Sequence, residues 1–355
     1  MLPEVVLLAL GFGTSWWATG VVRHYALRRE FMDIPNERSS HTRPTPRGGG
    51  LAIFIITLLG LLTYSSLFFV EYRLLLLLYS FGAVLIATVS WFDDLHTLPN
   101  PVRFAVHSLA AILAIIGLGY WDKLTVPFLD QVNLGWLGLL VTFFWIVGLT
   151  NAYNFMDGID GIAGGQAVVG GLGWTIIGGM MDLPLISVLG ALLAATSLGF
   201  LFHNWPPAKI FMGDVGSAFL GYSFACLAVI AANKEPSLAI AGVLLVWPFV
   251  FDSIFTFFRR LRNRENIFQA HRSHLYQRLV ISGYGHRTVT LLYMGLDVLG
   301  LLFALIVLLK NPWADLCVVI ALLLSCFGLW GFTVIREQTV LQTKNSNGAL
   351  EEKLI

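Results

Sequence analysis

The chain has 355 residues, of which 57% are hydrophobic and only 12% charged, and its formal net charge is +1. Soluble domains carry about 25% charged residues, so this composition excludes a soluble globular protein and predicts one that lies in a bilayer. The near-neutral charge gives no indication of nucleic-acid binding. The three cysteines lie within apolar runs and lack metal-ligand spacing, so we expect them to fill core space.

Eleven apolar runs predict membrane-spanning helices, because crossing a bilayer takes roughly 17–25 apolar residues. They are residues 3–22, 50–70, 74–92, 104–120, 134–150, 162–181, 185–202, 217–232, 238–258, 289–309 and 316–335. The first run lacks the basic start and the cleavage site of a signal peptide and is expected to remain as a span. The predicted fold is an all-α polytopic bundle, with residues 1–337 as one membrane domain and 338–355 as a polar, disordered tail.

The basic residues predict how this bundle is oriented. With eleven spans, 18 of the 22 lysines and arginines fall on one face, and Arg73, Lys123, Lys234 and Lys310 fall on the other. The positive-inside rule makes the crowded face cytoplasmic. We therefore expect a periplasmic N-terminus, a cytoplasmic C-terminus and a location in the bacterial inner membrane.

Four polar islands interrupt the apolar chain, and the same count places all four on the cytoplasmic face. They are 91–95 (WFDDL), 151–161 (NAYNFMDGIDG), 211–217 (FMGDVGS) and 259–278 (RRLRNRENIFQAHRSHLYQR). An error of one span in the middle would scatter them over both faces. Carboxylates, carboxamides, glycines and a basic stretch on one face predict a site for a metal ion and a polyphosphate.

The first two islands carry the acids. Asp93 and Asp94 are adjacent carboxylates, which must be wetted, bound to a metal or partly protonated; a solvated helix end is the alternative. The second island has polar residues at steps of three, namely Asn151, Asn154, Asp157 and Asp160. Amide and carboxylate oxygens suit Mg²⁺, although Asn and Asp also end helices in ordinary turns.

The remaining islands leave more than one interpretation open. Asp214 precedes a helix, where it is either a metal ligand or a favourable N-terminal carboxylate, and Phe211 is either core or a surface on which a base stacks. In the longer segment 259–287, Ile267, Phe268, His271, Leu275 and Leu279 recur at helical spacing. That segment is either an interfacial helix on anionic lipid or a clamp for a diphosphate. Zinc is disfavoured because no third ligand follows the two histidines.

The first polar loop, 39–50 (SSHTRPTPRGGG), carries Arg43 and Arg47. It is either a proline-rich linker whose charge marks the inner face or a flap over an anionic ligand.

In order along the chain, these motifs resemble the polyprenyl-phosphate N-acetylhexosamine-1-phosphate transferase family. The resemblance rests on the DD pair, NAYNFMDGIDG, NWPPAKIFMGDVGS and HRSH, and it extends over residues 35–287. The chain is most similar to the branch that initiates O-antigen or lipopolysaccharide synthesis. HRSH stands where lipid I translocases have three histidines, which argues against a muramoyl-pentapeptide substrate. The family implies a UDP-sugar donor, undecaprenyl phosphate as acceptor and Mg²⁺, with Mn²⁺ as an alternative ion, and related enzymes suggest a homodimer.

The resemblance also implies roles for individual residues. Asp93 and Asp94 match the catalytic acidic pair, and Asn154 and Asp214 match the metal-binding positions. The nucleotide-sugar residues are Asp157, Asp160, Asn204, Phe211, His271, Arg272 and His274, with Phe211 under the uracil. The residues nearest the phosphates and lipid are Arg43 and Thr45.

The implied reaction transfers N-acetylhexosamine 1-phosphate to undecaprenyl phosphate and releases UMP. A phosphate monoester is mostly dianionic at pH 7, so a direct displacement is expected, with a phospho-aspartyl intermediate as the alternative. Two other classes were weighed. A lipid or small-molecule transporter usually places ionisable groups at mid-membrane, whereas of the acids here only Asp297 lies deep in a span. A CDP-alcohol phosphotransferase would need further spaced aspartates that are missing.

Overall fold

The computed structural model describes residues 2–35, 40–41, 43–68, 72–126, 130–266, 269 and 271–351. Helices dominate this part of the chain. They are α1 (Leu2–Arg28), α2 (Gly50–Phe68), α3 (Arg73–His96), α4 (Asn100–Leu118), α5 (Leu137–Met156), α6 (Ile162–Met180), α7 (Pro184–Asn204), α8 (Asp214–Ala232), α9 (Leu238–Leu245), α10 (Trp247–Arg262), α11 (Leu275–Ile281), α12 (His286–Val307) and α13 (Pro312–Glu351). Two short antiparallel hairpins complete it, β1 (Met32–Asp33) with β2 (Thr45–Pro46), and β3 (Lys123–Val126) with β4 (Asp130–Asn133).

Each predicted span is helical over most of its described length, so the all-α polytopic fold is confirmed. Within the described residues, nine helices are long and apolar enough to cross a bilayer by themselves. Helix α6 is 19 residues long and is not among these nine. Residues 69–70, at the end of the second predicted span, lie outside the described residues. Helices prevail because a bilayer offers no water to satisfy backbone polar groups.

The ninth predicted span, 238–258, is two helices rather than one. The axes of α9 and α10 differ by 75° across a break at Val246. Pro248 stands in the first turn of α10, where its missing N–H costs nothing, and proline disfavours helical geometry in the residue before it. The Trp247 indole N–H donates to the Leu296 carbonyl at 3.0 Å, which fixes the break against α12.

The interfacial helix that was one of two alternatives for 259–278 is also interrupted. Helix α10 ends at Arg262, and Arg264 adopts a φ of 57°, which a right-handed helix cannot continue. Helix α11 begins afresh after a capping box made by His274 and Gln277. The clamp residues therefore lie in a loop. Ile267 and Phe268, part of the predicted helical pattern, lie outside the described residues.

Helix α8 forms the centre of the bundle and is buried along its whole length. It packs against α2, α3, α5 and α9. Gly221 has no room for a side chain, because a Cβ there would lie 2.7 Å from the Leu149 carbonyl oxygen of α5. Small residues permit such close helix packing in lipid. Side chains such as Trp17, Phe144 and Phe327 remain exposed on the outer faces, where lipid would cover them.

The tail predicted to be disordered continues α13 as helix to Glu351. Glu337, the residue directly before this tail, is held to α11, since the Arg278 guanidinium donates to both of its carboxylate oxygens at 2.7 and 2.5 Å. About half of residues 339–351 are good helix formers, and an existing helix extends more easily than a new one begins.

Candidate active site

A cavity of about 300 Å³ opens at one end of the bundle, where α3, α5 and α7 end and α8 and α12 begin. Seven of the predicted site residues line it: Asp94, Asn154, Asp157, Asp160, Asn204, Phe211 and Asp214. An adjoining cavity of about 420 Å³ shares Asp160 and Phe211 with the first and adds Arg43 and Thr45. The first three islands therefore converge at one place.

Two helix ends meet at Asp94 and Asp214. The backbone N–H of Asp214, the first residue of α8, donates to Asp94 Oδ2 at 3.1 Å. Gly213 makes this approach possible: its φ is 78°, and a Cβ there would lie 2.9 Å from the same carboxylate oxygen. Glycine adopts such a backbone conformation without strain. The turn between α7 and α8 thus delivers Asp214 directly against the acidic pair.

Asp93 is turned toward α4 rather than into the cavity. Its Oδ1 accepts the Leu98 N–H at 2.5 Å, and its Oδ2 accepts from Arg103 Nη1 at 2.7 Å. The same Arg103 nitrogen lies 4.0 Å from Asp214 Oδ2. Asp93 therefore holds the end of α3 to the start of α4 and positions a guanidinium beside the carboxylates.

Arg47 supplies a second cation on the opposite side. It donates to the Asp94 carbonyl, and its Nη1 lies 3.7 Å from Asp94 Oδ1. Its guanidinium packs over the Phe31 ring at 4.8 Å. In the sequence, Arg103 counts among the basic residues that indicate orientation, and Arg47 belongs to the polar loop that is either a linker or a flap over an anionic ligand. Their places beside the acids depend on loop geometry that spacing does not reveal.

The second island continues the acidic wall. Asn154 Oδ1 accepts a hydrogen bond from Ser217 Oγ at 3.0 Å, which orients its carboxamide. Burial, together with nearby Asp214, Asp94 and Asp160, raises the pKa of Asp157 well above its usual range. Removing carboxylates from water near like charges is costly, and a cation in the cavity would offset that cost.

The side of the site that carries the predicted nucleotide residues Asp160, Asn204 and Phe211 is held by backbone contacts. Asp160 Oδ2 accepts the Ala208 N–H at 3.0 Å, and Asn204 Oδ1 accepts the Gly161 N–H at 2.8 Å. Phe211 borders both cavities, and its ring lies edge-to-face with that of His41 at 4.8 Å between ring centres. Arg43 and Thr45 lie on this side, away from the acidic pair.

The predicted clamp residues His271, Arg272 and His274 do not line the cavity; Gln277, from the same island, does. His274 is buried against Asp252 of α10, with 3.1 Å between its Nδ1 and Asp252 Oδ1. Burial, then His274 and Arg260, lowers the pKa of His271 to about 4, so His271 is neutral at pH 7. The HRSH segment thus forms a wall behind Gln277.

The donor set fits a magnesium ion only in part. Among the described residues, no three His, Cys, Asp or Glu side chains lie close enough to hold a metal ion together. Asn154 and Asp214 nevertheless face the same cavity, and carboxylates there outnumber cations. Mg²⁺ binds proteins through one or two carboxylates and completes its shell with water and substrate phosphates. The residues present are compatible with that mode.

Comparison with known proteins agrees with this architecture. Residues 76–232 match the model for glycosyl transferase family 4. The chain is 34% identical, over 91% of its length and 90% of the relative's, to the probable undecaprenyl-phosphate N-acetylglucosaminyl 1-phosphate transferase of Bacillus subtilis (strain 168). It is 32% identical to the decaprenyl-phosphate N-acetylglucosaminephosphotransferase of Mycobacterium leprae (strain TN), over 82% of this chain and 80% of the other.

A shorter match, 28% identical over 53% of this chain and 58% of the relative, is to the phospho-N-acetylmuramoyl-pentapeptide-transferase of Listeria monocytogenes serotype 4b. The fold and cavity together define a polytopic membrane protein with an acidic site at one end of its helices. The chain belongs to glycosyl transferase family 4, the polyprenyl-phosphate N-acetylhexosamine-1-phosphate transferase family that its motifs resemble.

Proposed function

We propose that this protein transfers N-acetylhexosamine 1-phosphate from a UDP-sugar to a polyprenyl phosphate and releases UMP. The supporting observation is the convergence of Asp94, Asn154, Asp157 and Asp214 in one cavity at the ends of apolar helices. Such a place is accessible both to a water-soluble nucleotide and to the phosphate of a lipid whose tail stays in the bilayer. N-acetylglucosamine is the first sugar to test, because the relatives' names specify it.

The chemical difficulty is electrostatic, since one phosphate must approach another. Two unit charges about 4 Å apart repel by roughly 4 kcal/mol at an effective dielectric of 20. Arg47 and Arg103 lie on two sides of the acidic pair and are available to offset this charge. Asn154 and Asp214 would hold Mg²⁺, which when bound neutralises charge on the diphosphate.

We assign direct displacement rather than a phospho-aspartyl intermediate. Phosphoryl transfer depends mostly on positioning and charge neutralisation, and the acceptor phosphate is already dianionic at neutral pH. Asp93 is engaged by Arg103 and Leu98, which suits a residue that orients its neighbours. Retention of radiolabelled phosphate on the protein without a lipid acceptor would contradict this assignment.

The function is tested with the full chain in detergent, using undecaprenyl phosphate, Mg²⁺ and a panel of UDP-sugars, with UMP release as the measurement. We expect UMP release with UDP-N-acetylglucosamine, lost on chelation with EDTA and restored by Mg²⁺ or Mn²⁺. Asp94→Asn and Asp214→Ala are each expected to lower kcat by about 100-fold or more, the scale of removing one preorganised electrostatic contact. Both should keep the wild-type melting temperature. Absence of UMP release from the wild type with every sugar would refute the proposal.

Assignment to O-antigen or lipopolysaccharide initiation is a further part of the proposal, as are an inner-membrane location with a cytoplasmic site and a homodimer. Complementation of a strain that lacks its own initiating transferase tests the pathway. Recovery of surface polysaccharide supports it, and active enzyme without recovery contradicts it.

A further inference from the structure

His286, the first residue of α12, contacts two segments that are far apart in the sequence. Its Nε2 lies 3.1 Å from the carbonyl oxygen of Ser40 in the first polar loop. Its Nδ1 lies 3.2 Å from Asp160 Oδ1 in the second island. The side chain is largely buried, and the residue borders both cavities. His286 carries no role in the proposed reaction so far.

The chemistry of the two partners determines what the ring must do. A carbonyl oxygen only accepts, so Nε2 must carry a proton and donate it to Ser40. Nδ1 faces Asp160 Oδ1, and it also lies 3.4 Å from the Asp160 backbone N–H. A protonated Nδ1 donates to the carboxylate, and a neutral one accepts from the amide. The ring therefore binds Asp160 in either protonation state.

Asp160 is fixed independently of this contact. Its Oδ2 accepts from the Ala208 N–H, and its carbonyl accepts from Thr290 Oγ1 at 2.7 Å, one turn further along α12. Asp160 and α12 thus form a firm base. What His286 adds is the attachment of Ser40 to that base.

The first polar loop is secured differently at its two ends. At its C-terminal end the backbone is bonded to the α7–α8 connection, with Phe211 N–H donating to Pro46 and Gly49 N–H donating to Phe211. Near its N-terminal end the loop carries His41, whose ring lies edge-to-face with that of Phe211, and Ser40, which His286 holds. The position of Ser40 and His41 therefore determines the gap above the Phe211 ring.

We propose that His286 is a positioning residue that fastens residues 40–41 over Phe211 and so determines how tightly the donor nucleotide is bound. This inference rests on the proposed function, which supplies the nucleotide. His286 contacts the loop and Asp160. Among the described residues, no hydrogen bond or ion pair joins it to Asp93, Asp94 or Asp214. We therefore assign His286 to binding of the donor in the ground state. Its loss should act on KM and spare kcat.

The kinetic test uses the full chain in nanodiscs with UDP-N-acetylglucosamine and undecaprenyl phosphate. His286→Phe, which keeps a ring and loses both nitrogens, should raise the donor KM about tenfold, the upper end of the effect expected from losing one hydrogen bond to an uncharged acceptor. The kcat should stay within about twofold of wild type. His286→Gln retains a donor and should recover most of the affinity. His24→Ala, an exposed histidine of α1 that lines neither cavity, is the control. An unchanged KM, or a fall in kcat alone, overturns the inference.

A second measurement needs no turnover. Ser40→Cys is labelled with a maleimide and followed peptide by peptide, which separates it from the three native cysteines. Because the Ser40 contact uses its carbonyl, the substitution preserves it. Adding His286→Phe should raise the labelling rate several-fold at an unchanged melting temperature, whereas an equal rate refutes the attachment. If the wild type released no UMP, the proposed function would fail while this measurement still decided whether His286 holds the loop.

Discussion

Two of the aspartates at the cavity are paired with arginines, and a third is not. Arg103 neutralises Asp93 at 2.7 Å, and Arg47 lies beside Asp94 at 3.7 Å, so each aspartate has its own guanidinium. Asp157 has no arginine at such a distance among the described ion pairs, and burial with nearby carboxylates raises its pKa. The cavity is thus arranged to accept a cation together with an anion.

The HRSH wall makes a prediction about pH at the scale of one residue. Burial lowers the pKa of His271 from 6.5 to about 4. Between these pH values, His271 is therefore protonated in the unfolded chain and neutral in the folded protein. This residue therefore reduces stability as pH falls from 6.5 toward 4. His271→Gln should lose less melting temperature than wild type over that interval, as thermal unfolding in detergent would measure. Equal losses would contradict the assignment.

Helix α11 is anchored by one carboxylate, and this predicts an effect at the scale of an element. Asp252 is fully buried and accepts from the first two N–H groups of α11, Leu275 at 2.8 Å and Tyr276 at 3.2 Å. It also accepts from His274 and from the Tyr293 hydroxyl at 2.6 Å. The carboxylate thus does for α11 what an N-cap side chain normally does.

Asp252→Asn places an amide donor among these donors. It should lower the free energy of unfolding by about 3 kcal/mol, the scale of breaking a buried charged contact. Trypsin should then cleave faster at Arg272 and Arg278, and the melting temperature should fall. Tyr293→Phe is the matched control, because it removes one hydrogen bond and should cost only about 1–2 kcal/mol. A wild-type cleavage rate in Asp252→Asn would show that α11 is held by other contacts.

Most of the helices could be predicted from the sequence. The length of the apolar runs predicts α1 to α8, α12 and α13, because a helix that crosses lipid needs a continuous run of apolar residues. The break at Val246 interrupts no apolar run, and Pro248 was its one available sign. The convergence of Asp94, Asn154 and Asp214 follows from counting spans, since alternate helix ends share a face.

Counting spans does not predict which side chains from distant segments contact each other. The pairing of Arg103 with Asp93 depends on the rotation of α4, and that of His286 with Ser40 joins residues 246 positions apart. The position of His274 against Asp252 likewise required the bend between α9 and α10. Sequence spacing gives the face on which a residue lies and leaves the partner undetermined.

At the scale of the whole molecule, the remaining prediction is orientation. Lys209 and Lys310 are exposed and lie at opposite ends of the bundle by the order of the helices. If the cavity faces the cytoplasm, a membrane-impermeant maleimide should label Lys310→Cys in intact spheroplasts and Lys209→Cys only in inside-out vesicles. Both variants carry the same native cysteines, so each is the other's control. Labelling of Lys209→Cys from outside would reverse the topology.

The cavity draws its walls from both halves of the chain, from Asp33 near the start to His286 near the end. A ribosome feeds the membrane from the N-terminus, so Asp94, Asn154, Asp157 and Asp214 are inserted while α12 is still unmade. The nascent protein must therefore tolerate its acids without their final neighbours. The pocket can close only when synthesis has passed residue 286, which delays any nucleotide binding until nearly the entire bundle exists.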